Sequence, residues 1–264
     1  MEERLFYSNS PLFVLVTTSI VLMVTAVVGF LIGRRASQRG IDQSQIGTIQ
    51  SSVLGMLALM LGFTFGAASA RYDTRRGLAV DEANAIGTTF LRAQTLPEPY
   101  RTDLSDMLRN YVDLRLQSAS KLDKPDELVK IRRDTEKVQQ AMWRQAAAVA
   151  REHPSAITGL FEESLNESID LYSSRIASFL ARVPSTIMWI LAMIAIVSLG
   201  IVGYGFGLAG QRRWLIMALL SAVISVVIVM IVDLDRPETG PTRISYQNMV
   251  DLKNSLPEFD QTSR

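Results

Sequence analysis

The chain has 264 residues, a formal charge of +1, a single histidine and no cysteine. Without thiols, disulfides and thiolate metal sites are excluded. The uncharged residues are gathered into a few long runs instead of being spread at helical spacing, and that segregation is the signature of a membrane protein.

The first run, Leu12 to Ile32, carries no charge and is long enough for the roughly 20 residues of a spanning helix. A cleaved signal peptide has basic residues before its apolar core. Here "MEER" precedes the run and "GRRASQRG" follows it, which predicts a retained helix with a stop-transfer flank. The second run, Val53 to Ala70, is slightly short, but its uncharged stretch begins at Gln43, so a helix starting in "QSQIGTIQSS" crosses with its middle. This span has a stripe of small or hydroxylated residues at three-four spacing: Thr48, Ser52, Gly55, Ala58, Gly62, Gly66 and Ser69. Such a stripe serves either close helix packing or the lining of a narrow aqueous path.

No Gly-Pro or Asn-Gly break separates Ala70 from Arg71, and "RYDTRRGLAVDEANAIGTTFL" extends the second span as one long helix. Gly77 and Gly87 weaken that helix by about 1 kcal/mol each relative to Ala without ending it. On it Arg75, Leu78, Glu82, Ile86, Phe90 and Ala93 share a face, flanked by Asp81, Asn84 and Thr88. Two readings stand. Arg71, Arg75 and Arg76 sit at the lipid headgroups while Asp81 and Glu82 pair with basic neighbours, or Glu82 and Asn84 belong to a polar site at the membrane surface.

Residues 71–185 balance 17 basic against 17 acidic residues, which gives no electrostatic footprint for nucleic acid. Prolines at 97, 99, 125 and 154 punctuate a helical pattern and predict helices near 71–95, 99–120, 126–152 and 155–182. The third carries a stripe of Leu128, Ile131, Thr135, Val138, Met142, Gln145 and Val149, which suits packing within a bundle. The fourth carries Ile157, Leu160, Leu165, Ile169, Tyr172, Ile176, Phe179 and Val183, in a register predicted to lead straight into the third span.

That span, Val183 to Gly210, contains Gly200, Gly203, Gly207 and Gly210, and its glycine face is predicted to meet the small-residue stripe of the second span. Its "GYGFG" lacks the Thr-Val that precedes a potassium filter. The fourth span, Trp214 to Val232, is closed by "DLDRPETG", with Pro237 predicted to end the helix. Asp233 and Asp235 are unfavourable toward the helix C-terminal dipole and need a partner. Arg71, Arg75 and Arg76, at the same membrane face, are the candidates, with Arg236 adjoining, in an interfacial salt-bridge cluster; a hydrated cation site is the alternative.

None of the four spans has Asp, Glu, Lys, Arg or His in its core, which argues against a proton relay, a voltage sensor or an ion-coupled pump. Enzyme chemistry lacks its parts. His153 precedes Pro154 at a helix end, and the chain has no nucleotide loop and no paired-histidine metal motif. No catalytic residue, cofactor or metal site is predicted.

The stretches "LALMLGFTFGAASARYDTRR", "VDEANAIGTTFLRAQTLPEPYR", "LRNYVDLRL" and "VDLDRPETG" resemble the bacterial bestrophin-like domain family over most of the chain. The resemblance implies a distant relation to bestrophins, which are pentameric anion channels with four spans per subunit and a helical cytosolic part. The bestrophin calcium clasp and hydrophobic neck have no copy here, and "GFTFG" with Phe63 and Phe65 is not the neck motif.

The sequence thus predicts an all-α integral membrane protein with four transmembrane helices and a four-helix soluble domain inserted between the second and third spans. Its parts are a first transmembrane pair (1–70), the helical domain (71–185), a second pair (186–232) and a polar tail (233–264). The expected function is an oligomeric passive ion channel; the competing class is a non-conducting sensor or scaffold that binds through the helical domain. The bilayer, further copies of the chain and small ions are the expected partners. The short loops "GRRASQRGIDQSQ" and "AGQRRW" carry arginines, so the positive-inside rule puts them in the cytoplasm of a cell-membrane protein and the termini and helical domain outside, whereas the bestrophin resemblance implies the reverse.

Overall fold

The computed structural model describes residues 10–38, 46–121, 124–236, 242 and 244–262, with the backbone alone at residue 125 and at 257–262. Eight helices and no strand occur among them: α1 (Pro11–Ser37), α2 (Ile46–Ala93), α3 (Tyr100–Ser120), α4 (Pro125–Glu152), α5 (Ala156–Leu180), α6 (Ser185–Leu208), α7 (Trp214–Asp235) and α8 (Gln247–Thr262). Four stretches are long and apolar enough to cross a membrane: α1, α2, the stretch Ala156–Leu208 that contains α6, and α7. The chain divides into two compact units, Met1–Tyr72 with Arg182–Arg243, and Asp73–Ala181 with Ile244–Arg264.

The first unit is held by backbone proximity. Ser10 caps α1 by accepting the Phe13 N–H at 3.3 Å, and Pro11 supplies a preset first residue. Along the contact of α1 with α6, a Cβ placed on Gly29 or Gly33 would fall on the carbonyl oxygens of Gly200 and Tyr204. One on Gly203 or Gly207 would fall on those of Ala26 and Phe30. Water is not there to drive apolar association inside a bilayer, so close packing at small residues takes that role. This corrects one expectation: the α6 glycines at 203 and 207 meet α1, not the stripe of α2. Gly210, at φ 64°, stands in the turn after α6. Where α2 meets α6 the contact is polar, with Gln50 Nε2 donating to the carbonyls of Ile201 at 3.1 Å and Val202 at 3.3 Å. Leu57, Leu61 and Ala68 of α2 join Leu22, Ala26, Leu191, Leu199, Ile224 and Ile228 in one apolar cluster.

The second unit is a helical bundle around Ile86, Phe90, Leu104, Leu108, Tyr111, Met142, Val149, Phe161 and Leu165. The α4 stripe packs as expected, with Thr135, Met142 and Val149 buried and Gln139 and Ala146 beside them. In α5 the expected face is right only in its second half. Ile157 and Leu160 are exposed, while Phe161, Ser164 and Ser168 point inward, and Thr89 Oγ1 donates to the Ser164 carbonyl or meets Ser168 Oγ, each at 2.9 Å. Nor does α5 run into the third span. It ends at Leu180, Ala181 adopts extended backbone at ψ 105°, and α6 starts after Pro184.

The expected polar tail contains an amphipathic helix, α8, whose Met249, Leu252 and Leu256 enter the core of the second unit. The predicted helix stop at Pro237 lies outside the described residues; α7 itself ends at Asp235 with Arg236 as its C-cap.

Candidate functional site

The small-residue stripe occupies the face of α2 that its own chain leaves open. Leu57, Leu61, Thr64 and Ala68, at helical spacing, are buried in the first unit. On the other side Thr48, Ser52, Gly55, Gly62 and Gly66 are exposed and Ser69 is half-buried. A Cβ added at Gly55, Gly62 or Gly66 would meet nothing within 4 Å. Ser52 Oγ donates to the Thr48 carbonyl at 2.9 Å, which leaves its oxygen lone pairs turned outward on an otherwise uncharged face. Phe63, at 68% exposure, stands beside this face.

The charged residues after the apolar half of α2 separate by direction. Arg76, Asp81 and Asn84 are exposed and Arg71 is half-buried, whereas Arg75 and Glu82 are buried in the second unit. Glu82 and Asn84 therefore do not share a site; they lie on opposite faces of the helix. Arg75 donates through Nε to the Ser178 carbonyl at 3.0 Å and through Nη2 to the Ala181 carbonyl at 2.6 Å. It thereby satisfies carbonyls that the end of α5 leaves without helical partners and places a cation at its negative pole.

Glu82 sits at the centre of a cluster that sequence reasoning did not assemble. Arg115 of α3 binds it side-on, Nε to Oε1 at 2.6 Å and Nη2 to Oε2 at 3.2 Å, and Arg175 of α5 binds Oε2 through Nη1. The Arg115 guanidinium lies 4.6 Å from the Tyr172 ring, and that of Arg175 lies 4.7 Å from the Tyr246 ring. Tyr111 and Tyr172 meet edge to face at 6.4 Å, and Gln139 Nε2 donates to the Tyr111 hydroxyl at 3.2 Å. Burial acts most strongly, to lower the pKa of Arg115, but the charge of Glu82, the hydrogen bonds to its carboxylate and the nearby Tyr111 and Tyr172 together outweigh it and hold the guanidinium above its ordinary range. Burial also pushes the Tyr111 phenol up, with the Glu82 charge adding to the effect, so the ring stays neutral. The sequence signal for this cluster was two arginines, each isolated on an apolar helix face, at Arg115 and Arg175.

In the first unit, Asp235 accepts the Val183 N–H with both carboxylate oxygens, at 3.1 and 3.0 Å. Asp233 Oδ2 accepts the Thr242 hydroxyl at 2.6 Å and its N–H at 3.3 Å, and Arg236 is buried beside them in sequence. Among the described residues no group of three or more His, Cys, Asp or Glu gathers to hold a metal ion.

These features define a multi-pass, all-helical membrane protein with a small-residue helix face open toward whatever surrounds the protomer. The family model of the bestrophin-like domain matches residues 15–249, and the chain belongs to that family. Crystal structures of three point variants of a bacterial bestrophin homologue from Klebsiella pneumoniae share its fold. Their TM-scores are 0.75, 0.74 and 0.72 at 15%, 14% and 17% identity. The alignments cover 94%, 93% and 96% of this chain and 99%, 98% and 99% of the other. A comparison with curated proteins finds no match.

Proposed function

We propose that the protein is an oligomeric, passive anion channel of the inner membrane, with the small-residue face of α2 lining its path. The observation that carries this reading is the open α2 face: a Cβ added at Gly55, Gly62 or Gly66 would meet none of the described residues within 4 Å, so the face is available to neighbouring copies or to a pore. Family membership supports the reading, and so does the absence of Asp, Glu, Lys, Arg and His from the cores of the spans, since a passive path needs no proton or ion coupling. The Asp73–Ala181 part of the second unit is the soluble helical domain inserted between spans two and three, and α8, from after the fourth span, packs into its core. A non-conducting scaffold is the second reading, favoured by an open groove of about 590 Å³ on that unit, lined by Glu136, Gln139, Trp143, Arg144 and Asn166.

Purified protein in planar bilayers decides between them. Ser69→Lys or Thr48→Lys shifts the reversal potential under a salt gradient toward anions, because a ring of like charges tunes selectivity in a pore. A verified, folded oligomer that passes neither anions nor cations over a range of voltage, pH and calcium leaves the scaffold.

The helical domain is assigned to the extracytoplasmic side, because the arginines of the short loops follow the positive-inside rule and large domains translocate largely regardless of charge. In intact cells a cysteine at Ser37 is then protected from a membrane-impermeant thiol reagent, and one at Ser120 reacts. The reverse labelling pattern puts the domain in the cytoplasm.

A further inference from the structure

Among the described residues the second unit buries three arginines, Arg75 and Arg175 at 1% exposure and Arg115 at 5%, against one buried carboxylate, Glu82. Arg75 is occupied by the carbonyls at the end of α5. Glu82 places one negative charge between the guanidinium groups of Arg115 and Arg175, so these three side chains together keep one positive charge. The hydrogen bonds locate it. Arg115 turns its Nε and Nη2, the two parallel N–H groups on one edge of the guanidinium, onto both oxygens of Glu82. Arg175 reaches the carboxylate through Nη1, and its own Nε and Nη2 are buried with no hydrogen-bond partner among the described residues. Buried polar groups, and charged ones above all, are paired in folded proteins, so an open pair of donors on a buried cation is unsatisfied in both charge and hydrogen bonding.

We propose that the Nε and Nη2 edge of Arg175 is a binding site for a small, planar, monovalent oxyanion of the nitrate, formate or bicarbonate type. The Arg115–Glu82 pair displays the geometry in the same cluster: two parallel donors meeting two coplanar oxygens. One residual charge matches a monovalent anion, and a divalent one would leave a buried negative charge in turn. Tyr246 covers the guanidinium with its ring at 4.7 Å, and Phe179 stands at 6.0 Å. The ligand therefore approaches in the guanidinium plane, where planar oxyanions bind with two oxygens and a halide makes a poorer fit.

The test reads thermal stability, so it holds whether or not the protein conducts. The full chain in detergent is melted while nitrate replaces gluconate at constant ionic strength. The wild type shows a saturable rise in Tm of a few degrees. Arg175→Lys keeps the charge and loses the paired donors, and its Tm stays flat across the titration. An unchanged wild-type Tm, or an equal rise in the variant, overturns the site. If the variant does not fold, a crystal structure of the wild type grown in nitrate decides. Planar density against Arg175 Nε and Nη2 supports the proposal; a water or a protein carboxylate there overturns it.

Discussion

Glu82→Ala costs the protein about 3–5 kcal/mol of stability, the range for removing one partner from a buried ion pair. The reason is what remains. Arg115 and Arg175 stay buried with no carboxylate between them, and two like charges then face each other in a water-poor core. Asp81→Ala, one residue earlier on the exposed side of α2, is the control and stays within about 0.5 kcal/mol of wild type. Chemical unfolding in detergent, followed by circular dichroism, measures both. A loss below about 1 kcal/mol for Glu82→Ala would show that the arginines are neutralised by another group and that Glu82 is not the centre of the cluster.

The two variants are neighbours in sequence, and their contrast illustrates what a sequence shows and what it withholds. The length and continuity of α2 were legible, because nothing between Ala70 and Arg71 breaks a helix. The face bearing Arg75, Glu82, Ile86 and Phe90 was legible too, because 3.6-residue periodicity places those side chains together. The partners of Glu82 were not, since Arg115 and Arg175 lie 33 and 93 positions away and periodicity says nothing about which helix a face meets. The same gap misplaced the α6 glycines: their spacing announces a close contact, but α1 and α2 both offer small residues to receive it. In α8 the signal is present but masked by polar neighbours. Met249, Leu252 and Leu256 stand at three-four spacing, but the charge around them makes the segment read as a solvated tail.

The second large effect tests the division of labour between the two glycine faces. Gly203→Leu destabilises the protomer by about 3 kcal/mol or more, at or beyond the top of the overpacking range. Its Cβ would land on the Ala26 carbonyl oxygen, and a helix backbone, unlike the end of a flexible side chain, cannot yield without moving all of α1. Gly66→Leu puts the same side chain on a face with nothing within 4 Å. The protomer therefore keeps its stability, or gains up to about 1 kcal/mol from the better helix propensity of Leu. What Gly66→Leu does lose is assembly or flux, because a leucine there obstructs either a neighbouring backbone or the path itself. Thermal melts report the first quantity, and crosslinking with bilayer recording the second. If Gly66→Leu melts as early as Gly203→Leu while the oligomer and the currents persist, the α2 face is buried within the chain and the pore assignment falls with it.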